Sequence, residues 1–252
     1  MGKRAAATVV VSLTITCLST SPATADTRRG DALVLSASIN GGKPVVIGTA
    51  AQTSFTATVT ASDPAGIDYI DPLLYKGSIT EPTGYLAAAR EPECVVSNAA
   101  TTRCTWLFML DQLFLQNTDA GAWRLHVNAT AQDGDYQWKD SAASVNIQRV
   151  SKLTANASPE PVAKGKPITI TGALSRVNWT DSRYHGYANQ PVRLQFRTPN
   201  GTYSTVKTVT ASSTGYLKTT VPASRDGYWR YSYAGNTTTA AVNAPGDLID
   251  VR

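Results

Sequence analysis

The chain is poor in the residues that most often carry chemistry. Among 252 residues there are two histidines, His126 and His185, and three cysteines. Glu occurs only at Glu81, Glu91, Glu93 and Glu160. No G-x-S-x-G elbow, H-E-x-x-H pair or C-x-x-C motif is present, which excludes the common signatures of serine hydrolases, zinc proteases and thiol oxidoreductases. Gly165-Lys166 lacks the preceding glycine of a phosphate-binding loop. His126 lies mid-strand in Arg124-Leu125-His126-Val127, and His185 lies in a loop. A pair of Asp carboxylates brought together in space is the one hydrolytic arrangement left open. The expectation is a protein that is not an enzyme, with no catalytic residues.

Charge is also sparse. Charged residues make up 16% of the chain, with a net charge of +5, and the basic residues form no run of five. Nucleic-acid proteins concentrate their positive charge on one face or in motifs, so no nucleic-acid partner is expected. No later segment is apolar for long enough to span a membrane. The first 25 residues differ from the rest. Lys3 and Arg4 precede an apolar run from Ala5 to Leu18, and Ala23-Thr24-Ala25 forms a small-residue cleavage site. This pattern reads as an export signal, residues 1–25, cut after Ala25. Cys17 falls inside it, with Thr14 and Thr16 where a lipidation motif wants Leu and a small residue. Export implies an oxidising, extracellular setting, so Cys94 and Cys104 read as a disulfide. Two lone thiolates would make a poor metal site.

What the chain does have is Thr, Ser, Val and Ala in short alternating runs, the composition of strands. In the first half these are Ala32–Ser38, Val45–Gly48, Ser54–Ala61, Ile67–Leu74, Arg103–Leu110, Ala122–Ala131 and Ala142–Gln148. Asn40-Gly41-Gly42, Asp63-Pro64-Ala65-Gly66 and Asp133-Gly134-Asp135 punctuate them as turns. Gln112–Gln116 reads as a loop or a single helical turn. Cys94 and Cys104 flank a polar turn, so their bridge staples a hairpin and is too local to be the inter-sheet bridge of antibody domains. A boundary falls between Arg149 and Lys152. Beyond it come a proline-rich bend from Ser158 to Pro167, the alternating run Ile168–Gly172, and Val192, Leu194 and Phe196 on one face. Pro199-Asn200-Gly201 is a hairpin turn. In Gly227–Tyr233, alternation puts Trp229, Tyr231 and Tyr233 on the core side. The fold expected is all-β: two tandem immunoglobulin-like sandwiches, residues 26–150 and 151–252, folding independently.

Leu153 to Arg252 resembles a bacterial immunoglobulin-like module of secreted actinobacterial, Streptomyces-like proteins. The matching stretches are Asn156–Val162, Lys164–Lys166, Ile170–Gly172, Val192–Arg197, Thr219–Val221, Asp226–Arg230 and Ala244–Asp247 with Asp250–Arg252. The first half matches more loosely through Thr58–Ile67 and Ala120–Trp123. The resemblance implies a secreted sandwich protein and carries no defined chemistry.

Two surface features remain with alternative readings. Asp63, Asp68 and Asp71 follow one strand, and Asp133 and Asp135 follow another. If the turns share an end of the first sandwich, they offer oxygen ligands for calcium, the one cofactor considered. Ordinary turn chemistry explains the same residues. The second feature is the segment Arg176–Tyr187, read as a long loop. Trp179, Tyr184 and Tyr187 offer faces for a sugar ring, with Arg183 and His185 as polar contacts. Alternatively, Trp179 and the tyrosines close one end of their own sandwich. The expected role is structural or binding, at the cell surface or outside the cell. The partners considered are a cell-wall polymer, a glycan or a surface protein.

Overall fold

A computed structural model describes residues 26–50 and 52–252. The export segment, its cut after Ala25 and Cys17 lie outside the described residues. No helix among the described residues is long and apolar enough to cross a membrane.

Among the described residues the first sandwich contains ten strands: β1 (Thr27–Arg29), β2 (Leu33–Ile39), β3 (Val45–Ile47), β4 (Gln52–Ser62), β5 (Ile67–Gly77), β6 (Pro82–Leu86), β7 (Glu93–Asn98), β8 (Thr101–Asp111), β9 (Gly121–Ala131) and β10 (Tyr136–Arg149). One sheet has the order β1-β10-β9-β5-β6, with β3 joining β10 in parallel; the other runs β2-β4-β8-β7. Strict alternation builds the core between them. Phe55, Ala57, Val59 and Ala61 point inward from β4, and Trp123, Leu125, Val127 and Ala129 from β9. Phe108 stacks on Phe55 with centroids 5.7 Å apart. Cys94 and Cys104 are bridged and sit directly opposite each other in the β7–β8 hairpin. The short strands β1 and β6 are additions to the sequence reading. Both are edge strands with little burial, so neither leaves a hydrophobic pattern.

The second sandwich is formed by β11 (Ser151–Leu153), β12 (Asn156–Ser158), β13 (Pro167–Asn178), β14 (Arg183–Gly186), β15 (Pro191–Arg197), β16 (Ser204–Thr210), β17 (Tyr216–Pro222), β18 (Gly227–Tyr233), β19 (Val242–Asn243) and β20 (Asp247–Ile249). β13 is the spine of one sheet, pairing with β11, β12, β14 and β17. The other sheet centres on β15 and β18. Trp229, Tyr231 and Tyr233 are buried as alternation requires, and the Tyr231 hydroxyl donates to Ile170 O at 2.9 Å. Burial pushes the phenols of Tyr231 and Tyr233 well above the usual range. The chain is therefore all-β, two immunoglobulin-like sandwiches in tandem.

The segment Arg176–Tyr187 is not a long loop. β13 runs through Asn178, turns over Trp179–Ser182, and returns as β14, with Val177 opposite Tyr184. The correction has a physical cause in the parity of the strand. Ile168, Ile170 and Leu174 face the second core. Val177 and Trp179, three and five residues after Leu174, lie on the opposite face, and both belong to the core of the first sandwich. A strand presents alternate residues to opposite faces, so one strand serves two cores.

Trp179 is 2% exposed. Its Nε1 donates to Ile47 O at 3.2 Å, its backbone N–H to Asn117 Oδ1 at 3.1 Å, and its carbonyl accepts from Gln112 Nε2 at 2.7 Å. Each partner belongs to the first sandwich. Asn117 also accepts from Arg149 at 2.7 Å and donates to Asn178 Oδ1 at 2.7 Å. On the other flank, Arg149 exchanges backbone hydrogen bonds with Thr238 and Ala240. Arg149 is buried, and burial together with the neighbouring Arg176 guanidinium lowers its pKa to about 10. The chain crosses between the two cores at Arg149–Ser151, inside this joint.

Two outcomes follow. Trp179→Ala should cost about 3–5 kcal/mol, as for other fully buried tryptophans. Calorimetry should show the parent unfolding in one transition and the variant in two; an unchanged melting curve would mean the indole does not couple the sandwiches. Replacing Cys94 and Cys104 together by Ala should cost about 2–3 kcal/mol, given the short closed loop. Denaturant titration should show that loss as a lower midpoint of the single transition, and an unchanged midpoint would mean the bridge adds no stability.

Candidate functional site

The structure separates the residues singled out from sequence. Trp179 is sealed in the first core and presents no face to a ligand, which corrects its reading as a stacking residue. It also does not close its own sandwich. Tyr184 packs against the first core and carries the Lys152 ammonium 3.7 Å above its ring. Tyr187 is buried, with the Arg176 guanidinium 3.9 Å over one face and Tyr233 edge-on at 5.9 Å. His185 is exposed and hydrogen-bonded to Asp181 at 2.7 Å, and Arg183 is exposed beside them. His185 and the neighbouring Arg183 backbone hold the Asp181 carboxyl below the usual range. The aromatic faces of this segment are therefore occupied by protein groups.

The five acids also divide. Asp63, Asp133 and Asp135 come together, each offering an oxygen within 4.8 Å of the others. Asp68 and Asp71 do not join them. Both are exposed on β5, and Asp71 lies opposite Asn128 on the outer face of the larger sheet.

That outer face holds an arrangement the sequence reading missed. Register places Arg29, Tyr136, Thr130 and Tyr69 in one row across β1, β10, β9 and β5, and Thr27, Trp138, Asn128 and Asp71 in the next. Residues directly opposite in register share a face. Tyr69 is 49% exposed and Trp138 is 50% exposed. Tyr136 lies beside Trp138 with ring centroids 5.6 Å apart. Asn128 Nδ2 reaches the Tyr69 hydroxyl at 3.5 Å. Next to Trp138 is a cleft of about 450 Å³ walled by Asp71, Thr80, His126, Asn128 and Asp140. His126 Nδ1 lies 3.2 Å from Asp140 Oδ1, and the Asp140 carbonyl accepts from the Tyr75 hydroxyl at 2.7 Å. Burial, the largest effect on Tyr75, raises its pKa.

The arrangement combines flat apolar rings with amide, carboxylate and imidazole groups held in place by sheet and side-chain hydrogen bonds. Such combinations fix the orientation of a polar ligand. Two signals for it were present in the sequence. Tyr136 and Trp138 are two residues apart, and so are Tyr69 and Asp71. What was missing was the register that sets those pairs on one face around Asn128.

A larger groove, about 600 Å³, follows the open side of the first sandwich between β5 and the β7–β8 hairpin. Its walls include Ile67, Val96, Trp106 and the disulfide. Its Arg90 is paired with Glu93 at 3.3 Å. In the second sandwich, Tyr203 and Tyr228 are covered by the guanidinium groups of Arg197 and Arg230. Neither place combines uncovered aromatic faces with a converging polar set.

No protein-family model matches the chain, and no curated protein sequence does. Solved structures to which it is similar include the D00-D0 domain of intimin, with 15% identity, covering 84% of this chain and 98% of that one at a TM-score of 0.27. They also include FdeC, an Escherichia coli adhesin, with 11% identity over 90% and 66% at 0.36, and the amphioxus IgVJ-C2 molecule, with 12% over 82% and 99% at 0.29. At these TM-scores the likenesses carry no functional weight, and the immunoglobulin-like fold rests on this chain's own sheets.

Proposed function

We propose that this protein is exported, is not an enzyme, and binds an extended glycan or cell-wall polymer at the cell surface or outside the cell. The outer face of the β1-β10-β9-β5 sheet is the contact surface. One observation carries this reading: Tyr69 and the Tyr136–Trp138 pair flank Asn128 and Asp71 on one solvent-facing sheet.

The geometry favours a polymer over a single sugar. β5 and β10 are separated by β9, so the aromatic groups stand two strand spacings apart, about 10 Å. An extended chain can lie across both, while a monosaccharide reaches one. Sugar rings have apolar C–H faces and polar edges. Tyr and Trp rings match the faces, and an amide with a carboxylate matches the hydroxyls. Both aromatic positions are paired within the sheet, Tyr69 with Thr130 and Trp138 with Asn128, so little ordering is needed on binding. The second sandwich, joined through Trp179, serves as a spacer held in fixed relation to the first. The disulfide and the export signal read from residues 1–25 fit an extracellular setting.

The mature chain should co-sediment with an insoluble polysaccharide or with peptidoglycan. Trp138→Ala and Tyr69→Ala should each weaken retention about 10-fold or more. Their stability should change by less than about 1 kcal/mol, because both rings are half exposed. Retention of the parent on none of a panel of cell-wall and plant polymers would end this reading. So would a Trp138→Ala variant that binds as well as the parent.

A further inference from the structure

We propose a divalent-cation site, suited to calcium, formed by Asp63, Asp133 and Asp135 at the end of the first sandwich remote from Trp179. It is independent of the glycan reading.

The three acids come from two turns. Asp63 follows β4, and Asp133 and Asp135 form the β9–β10 turn. The turns are tied together by a Gln132 N–H to Gly66 O bond at 3.0 Å, and Asp63 is tied to the β7–β8 turn through Ala100 O at 2.8 Å. Each carboxylate has one oxygen held by a backbone amide. Asp63 Oδ1 accepts from Ala65 at 2.7 Å, Asp133 Oδ1 from Asp135 at 3.1 Å, and Asp135 Oδ2 from Asp31 at 2.9 Å. Among the described residues, no hydrogen bond is found to the second oxygen of any of the three. The absence of a Cβ at Gly30 makes room for the Asp135 carboxylate, which occupies the place a methyl group would take.

Turn chemistry explains the tethered oxygens. It does not explain Asp63 Oδ2. Asp63 is 1% exposed, and this oxygen is buried with no partner. Among the described residues no Lys, Arg or His forms an ion pair with any of the three acids. A buried carboxylate oxygen without a donor, with two more carboxylates within 4.8 Å, is strongly unfavourable unless a positive charge is close. A hard cation that takes several oxygen ligands satisfies all three at once. The other ligand positions fall to carbonyls and water, since Asp133 is exposed and Asp135 half-buried. Three carboxylates from two separate turns impose no octahedral frame, which favours calcium, with its irregular shells of oxygen ligands, over magnesium, which demands near-ideal octahedral geometry.

The site can be tested on the mature chain, stripped with a chelator and titrated with calcium chloride by calorimetry. Terbium luminescence sensitised by nearby Tyr136 gives a second readout. One site with a Kd of about 0.1–1 mM is expected, in the range of extracellular modules. A hundredfold excess of calcium over Kd should raise the melting midpoint by about 5–10 °C. Asp63→Asn keeps the acceptor for Ala65 and removes the charge; it should weaken calcium binding at least 10-fold and abolish the thermal shift. If that variant does not fold, a double Asp133→Asn, Asp135→Asn variant, changed nearer the surface, should show the same losses. Trp138→Ala should bind calcium like the parent, so a failed polymer assay and a failed cation site are told apart. No saturable calcium binding by the parent up to about 10 mM, or unchanged binding in a folded variant lacking these charges, would overturn the proposal.

Discussion

The arrangement of this molecule depends on one indole buried in the wrong sandwich. Trp179 belongs by sequence to the second domain and by contact to the first. Its ring fills apolar space there, and its Nε1, backbone N–H and carbonyl each find a partner in the first domain. Buried polar groups must be paired to be tolerated, so these bonds select one seating of the side chain. Burying an aromatic ring makes the joint strong, and satisfying its polar atoms makes it specific. Arg149 and the 236–240 segment close the opposite flank with backbone hydrogen bonds.

This joint assigns roles to the two ends of the first sandwich. The end near Ile47, Gln112 and Asn117 is consumed by contact with its neighbour. The other end, where Asp63, Asp133 and Asp135 converge, remains free, as does the outer sheet face carrying Tyr69 and Trp138. The acidic turn leads directly into Tyr136, so the proposed cation site and the proposed polymer surface share a strand. They rest on different observations: an orphaned buried oxygen for one, exposed rings in register for the other.

Much of the architecture could be read along the chain. The strands from Ala32 to Gln148, the core side of Trp229, Tyr231 and Tyr233, and the hairpin position of the disulfide follow from period-two alternation and turn residues. The candidate sites were less legible. Asp63, Asp133 and Asp135 were among the acids picked out from turn composition, but so were Asp68 and Asp71, which the strand carries away along β5. Arg176–Tyr187 resembled a loop because its apolar residues change parity after Leu174. A change of parity usually signals the end of a strand, whereas here the strand continues and turns its other face to a different core.

The sequence by itself determined the local geometry: where the chain extends, where it bends, and which side chains share a face within one strand. These depend on the preferences of neighbouring residues and on alternation, both of which act over a few positions. Only the tertiary structure decided what each face meets. Sheet order and register join residues far apart in sequence, such as Asp63 with Asp135, Tyr69 with Trp138 across Asn128, and Trp179 with Ile47. A shift of one residue in any of those pairings would reverse which side chains face the core, so both surface sites exist only once the first sandwich has closed, and the joint only once both have.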